Sequence, residues 1–182
     1  MSALAQHYEF SLAEYEQMIA AGIFAEDARI ELLGGAIVTM SPMGDRHVKV
    51  VNRLARTLQQ VVGDDFTVSV QNPIRLDNQS EPQPDLAILR GRDRGLADAA
   101  DVLMVIEVAD TSRDYDRNAK FPRYGAAGIP EAWLFDLVGE RIERHTEPGP
   151  HGYRQIALAG RGETLTSTVV PGLTFAADAL LA

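Results

Sequence analysis

Apolar residues recur every three or four positions between Asp45 and Val62, at Val48, Val51, Leu54, Leu58 and Val61. That spacing predicts a long amphipathic helix with one buried stripe, ended by Gly63. A shorter helix is predicted earlier, from Leu12, Tyr15, Met18 and Ile19, with Gly22 as its stop. Its entry, Ser11-Leu12-Ala13-Glu14, has the form of a capping box. Between the two helices, Ile30–Leu33 and Ala36–Met40 flank Gly34-Gly35, which predicts a tight hairpin because both glycines can take positive φ. Phe66–Gln71 alternates and reads as a strand. Asp85–Leu89 is a short apolar strand fenced by Pro82, Pro84 and Gly91. Val102–Val108 is apolar except for Glu107, the pattern of a central strand covered on both faces. A helix capped by Thr111 or Ser112 follows, from about Asp114 to Ala126, and then a buried strand at Ala132–Leu137. Two polar, alternating strands near Arg141–Thr146 and Tyr153–Leu158 come next, with a short C-terminal helix after Pro171-Gly172.

Helix, three strands, helix and strand, with additions at both ends, predict an α/β (α+β) domain. Its core is one mixed β-sheet flanked by helices, with an N-terminal helix and hairpin and extra C-terminal strands. Without a repeat or linker, residues 1–182 form one expected domain. Cysteine is absent, which excludes disulfides, thiolate metal sites and cysteine nucleophiles. The four histidines lack metal-ligand spacing. No apolar run reaches the about 20 residues of a membrane span, and no secretory signal is visible, so the expected location is cytoplasmic. The formal net charge of −9 repels nucleic acid at long range, so any DNA-directed activity needs a local site, bridged by a cation.

Three residues carry candidate chemistry. Glu107 is a carboxylate near the end of the most apolar strand, which requires pairing, protonation or a metal; a structural salt bridge is the competing reading. Asp85 opens its strand after Pro84, where a turn-forming Asp is the plainer alternative. On neighbouring strands the two would lie about 5 Å apart and suit Mg²⁺, which takes one or two carboxylates and keeps waters. Lys120, on the helix after Glu107, is either a surface partner of Asp116 at i,i+4 or a cation aimed at the same place.

Pro84-Asp85, Ile106-Glu107-Val108, Asp116-x-x-x-Lys120 and Tyr124-x-x-x-Gly128-Ile129-Pro130-Glu131-Ala132-Trp133-Leu134-Phe135-Asp136 together resemble the Uma-two family. That family belongs to the PD-(D/E)XK, or restriction-endonuclease-like, nucleases. The resemblance includes Glu31-Leu32-Leu33-Gly34-Gly35, Ser41-Pro42 with His47, and Pro171-Gly172-Leu173, and so spans most of the chain. It implies a restriction-endonuclease-like fold and a Mg²⁺-dependent endonuclease, with Mn²⁺ as substitute, acting on DNA. Asp85 and Glu107 would be the metal-binding carboxylates. The superfamily's lysine, usually two residues after the second acid, is here Ala109; Lys120 matches the family's relocated lysine. Glu31 resembles an extra acidic residue of these nucleases, against an exposed hairpin charge, and His47 is family-like in position, against a helix-start cap. Such enzymes often dimerise to cut both strands, so a homodimer is an expectation, although no partner surface is legible.

The chemistry is coherent in its own right. Phosphodiester hydrolysis needs an activated water and charge relief at the phosphoryl oxygens, which a carboxylate-held Mg²⁺ and a fixed lysine supply. Two other classes stay open: an idle nuclease-like fold used for binding or assembly, and a hydrolase of a smaller phosphate ester. Ser41, Ser112 and Ser167 lack a G-x-S-x-G elbow, and no Walker A or Rossmann fingerprint occurs. The Gly91–Gly95 loop reads as a solvated connection, and Trp133 and Phe135 as buried strand residues.

Overall fold

The computed structural model describes residues 7–40, 42–91 and 95–180. Helix α1 (Leu12–Ala20) starts at the expected capping box: the Ser11 hydroxyl accepts from the Glu14 N–H, and the Glu14 carboxylate accepts from the Ser11 N–H. Strands β1 (Ile30–Leu33) and β2 (Ala36–Thr39) form the hairpin, with Gly34 at φ 60° and Gly35 at φ 74°. That is the primed-turn geometry which β-carbons resist. Helix α2 (Asp45–Val61) follows, then β3 (Phe66–Val70), β4 (Ile74–Arg75), β5 (Leu86–Arg90), β6 (Ala97–Asp98) and β7 (Val102–Ala109). After β7 one continuous helical segment comprises α3 (Arg113–Tyr115), a π-turn (Asp116–Lys120) and α4 (Phe121–Ala126). Strands β8 (Glu131–Asp136), β9 (Arg141–Gly149), β10 (Gly152–Ala159), β11 (Thr164–Thr166) and β12 (Thr174–Ala176) complete the chain, with a 3₁₀ turn at Ala177–Leu180.

The central sheet has the order β10-β9-β8-β7-β5-β3. Only β7 and β8 pair in parallel, joined by the α3–α4 segment; the other neighbours are antiparallel. This is the mixed sheet flanked by helices that the sequence predicts. On one face α2 packs Val50, Val51, Leu54 and Leu58 against Ile106, Trp133 and Phe135. On the other, α4 packs Phe121 and Tyr124 against Val105, Ala132 and Leu134.

Four details differ from expectation. The α2 stripe runs through Val50, Val51, Leu54, Leu58 and Val62, while Val61 is 40% exposed. Strand alternation alone would put Leu103 on the same face as Glu107, and it does not lie there. Ile88 pairs with Met104 and Leu89 with Val102, so Leu103 is a bulge residue, and the extra residue turns it toward the α2 face. The segment after Pro171-Gly172 forms β12 before its 3₁₀ turn, because Phe175 is drawn into the core beside Trp133 and Phe135. Short strands β4, β6 and β11 have no legible period. Ser41 and residues 92–94 of the Gly91–Gly95 loop lie outside the described residues.

Candidate active site

Antiparallel pairing of Leu86 with Ile106 brings Asp85, just before β5, opposite Glu107 near the end of β7. The Asp85 N–H lies 3.4 Å from Glu107 Oε2, and the Val108 N–H donates to Asp85 Oδ2 at 2.8 Å. The neighbouring-strand expectation thus holds. Both side chains are nearly buried, at 8% and 3% exposed.

Lys120 comes from the π-turn and is not a surface residue: it is 3% exposed. Its Nζ lies 3.3 Å from Glu107 Oε1 and 3.2 Å from Glu31 Oε2. Glu31 is likewise no exposed hairpin charge. It is 1% exposed, accepts from the Gln83 N–H at 2.9 Å, and takes the Tyr115 hydroxyl at 2.8 Å. His47, in the first turn of α2, places Nε2 2.9 Å from Asp85 Oδ1. Separate segments therefore deliver the five residues singled out by the sequence to one place.

Sequence reasoning missed several members. The Tyr124 hydroxyl donates to Glu107 Oε1 at 2.7 Å. Asp116 is 3% exposed and accepts from the Ser112 hydroxyl at 2.6 Å. Gln71 donates to Asp85 Oδ1 at 3.3 Å and sits at φ 52°, an uncommon backbone conformation for a non-glycine residue. The available signal was the i,i+4 series Asp116, Lys120, Tyr124, which marks one helix face. It reads as a solvated ion pair unless Tyr124 is counted with it.

Burial dominates the electrostatics. It pushes the Glu107 carboxyl well above the usual range, against the pull of Lys120. Burial also raises Asp116 to about 6, opposed by Lys120 and Ser112 and helped by Asp85 and Glu31. For Lys120 burial acts downward, but Glu107, Glu31, Asp116 and Asp85 outweigh it, and the ammonium stays charged. His47 is raised in the same manner: burial acts downward, and Asp85 outweighs it.

These groups line the floor of a cleft of about 420 Å³. One wall carries an apolar strip of Val38, Met40, Pro42 and Met43, bordered by Arg29 and Thr39. Among the described residues no group of three or more His, Asp or Glu side chains is gathered as a cation cage. Asp85 and Glu107 offer paired hard oxygens at the cleft, which fits Mg²⁺ or Mn²⁺ holding mostly water. The pair does not fit a dehydrated ion that needs a full protein cage.

A family model described as "Putative restriction endonuclease", Uma2, matches residues 12–178. The fold is similar to the crystal structure of a protein described as "a putative nuclease belonging to DUF820" from Anabaena variabilis, with a TM-score of 0.75. Identity is 11%, and the match covers 94% of this chain and 97% of that one. No curated protein matches.

Proposed function

The chain belongs to the Uma2 family, and from that membership and the cleft we propose that it is a metal-dependent endonuclease hydrolysing DNA phosphodiester bonds. The observation that carries this reading is the convergence of Asp85, Glu107, Lys120 and Glu31 on one cleft floor from separate elements. A buried group of carboxylates costs folding free energy unless it is paired, protonated or bound to a cation, and pKa values perturbed by burial cluster at functional sites.

In this proposal Asp85 and Glu107 hold Mg²⁺, or Mn²⁺ in its place. The bound ion supplies Lewis-acid polarisation of the phosphate and a more acidic water. The protein's own residues do the rest. Tyr124 and Lys120 both take Glu107 Oε1, which leaves Oε2 the freer oxygen of that carboxylate. His47 and Gln71 hold Asp85 Oδ1 in place. Tyr115 and Gln83 pin Glu31, which in turn orients the Lys120 ammonium. That ammonium, fixed in a nearly dry site, stabilises negative charge growing on the phosphoryl oxygens.

One observation favours a second reading, an idle nuclease-like fold used for binding: Lys120 already satisfies both Glu31 and Glu107 as a buried ion pair. Plasmid nicking or linearisation at low salt with Mg²⁺ or Mn²⁺, against a metal-free blank, separates the two. Cleavage that is lost in Asp85→Ala and Glu107→Ala, with circular dichroism unchanged, supports the enzyme. Ion binding without cleavage of duplex or single-stranded DNA supports the idle fold.

A further inference from the structure

The cleft has two chemically different sides. Its floor is carboxylate and ammonium, suited to a phosphate with its cation. Its wall carries an apolar strip of Val38, Met40, Pro42 and Met43, bordered by Arg29 and Thr39. The two are joined by one amide: Gln71 Nε2 donates to Asp85 Oδ1 at 3.3 Å and to Met43 Sδ at 2.8 Å. A phosphate on the floor therefore brings the rest of its own nucleotide against the wall.

We infer that this wall receives a nucleobase that is neither paired nor stacked, so that the DNA cut here is single-stranded or locally opened. The inference rests on the nuclease reading and adds the substrate class. Three considerations carry it. In a paired duplex the bases face inward, so the four apolar side chains would meet only sugar and phosphate and would cover no apolar surface of the ligand. An unpaired base instead presents an apolar, polarisable face, to which thioether side chains adapt well. Second, a cleft of about 420 Å³ has the room of one nucleotide-sized ligand, so a base turned out of its stack fits beside its phosphate. Third, the net charge of −9 opposes a duplex more than a single strand. A duplex carries a negative charge about every 1.7 Å of axis from its two strands, and one strand carries half of that.

The test uses the full chain with Mg²⁺ and end-labelled oligodeoxynucleotides of one sequence, offered as a single strand, as a blunt duplex and as a duplex with an internal bulge. Single strand and bulge should be cut with kcat/KM on the order of tenfold or more above the blunt duplex, the scale of one lost base-stacking contact. Met40→Ser, and independently Val38→Ser, should raise KM for the single strand by a comparable factor while kcat changes little. Equal or faster cutting of the blunt duplex overturns the inference and leaves the nuclease reading standing, as does an unchanged KM in both wall variants. Cleavage of none of the three substrates overturns both.

Discussion

Replacing Asp116 by Asn should change how stability depends on pH, in a direction the cleft dictates. The Asp116 carboxyl is 3% exposed and is raised from 3.8 to about 6, first by burial and then by Asp85 and Glu31. Below about pH 4 this carboxyl is protonated in folded and unfolded chains alike, and it costs nothing. Between about pH 4 and 6 the unfolded chain releases the proton while the folded chain keeps it, so stability falls as pH rises. Above 6 the full penalty is present. A shift of about two units at 1.36 kcal/mol each is roughly 3 kcal/mol. The amide introduced by Asp116→Asn does not titrate. It can still accept the Ser112 hydroxyl, and the stronger bond that the ionised carboxylate makes to that hydroxyl is already contained in the value of about 6. Urea unfolding of both proteins from about pH 4 to 7 measures the effect. The stability of Asp116→Asn minus that of the wild type should grow by about 3 kcal/mol across the window. A flat difference, or one that shrinks with rising pH, refutes the buried and ionised Asp116.

Lys120→Ala strips Glu31 and Glu107 of their shared ammonium and should cost about 3–5 kcal/mol in urea unfolding, where a surface pair would cost about 0.5 kcal/mol. In the proposed enzyme it also lowers the cleavage rate by on the order of a hundredfold. Glu107→Gln keeps an acceptor for Tyr124, removes a charge that burial opposes and leaves Lys120 paired with Glu31. The metal-free melt should therefore lose well under the about 3–5 kcal/mol expected of Lys120→Ala. The shift on adding Mn²⁺ should vanish; a retained shift counts against Glu107 as a ligand. Gly125→Ala would put a β-carbon 2.4 Å from the Gly152 carbonyl carbon, forcing α4 off β10 at a cost of about 2–3 kcal/mol. An unchanged thermal midpoint would contradict that packing.

The elements most legible in the sequence are those whose signal is local. The capping box at Ser11, the Gly34-Gly35 hairpin and the α2 stripe depend on neighbours within a turn or two. Glu107 was legible as an anomaly because an acid in an apolar strand violates the pattern around it. What the chain could not declare was contact between distant segments. Glu31 looks like a hairpin charge until Lys120, 89 positions later, lies 3.2 Å away. The bulge at Leu103 is equally silent, because an extra residue in an apolar run leaves no gap in the pattern. Strand β12 forms because Phe175 finds aromatic partners on β8, and its own few residues carry no period.

In the proposed enzyme Lys120 takes the part of the lysine that the family resemblance leads one to expect at Ala109. Ala109 lies two residues beyond Glu107 on the same strand and is completely buried, packed in the cluster that holds Phe121 and Tyr124. Its carbonyl accepts from the Leu137 N–H. A long cationic side chain has no room there, so the positive charge must reach the floor from the covering helix. In a regular α-helix each residue turns by about 100°, and the single extra residue of a π-turn rotates the next helical turn by about that much. The π-turn at Asp116–Lys120 therefore sets the rotation of α4 relative to α3. With it, Asp116 and Lys120 both enter the cleft while Phe121 and Tyr124 reach the core cluster on the sheet. Lys120 and the irregular helix thus belong together: the strand position is given to packing, and the π-turn lets the Lys120 ammonium meet Glu31 and Glu107.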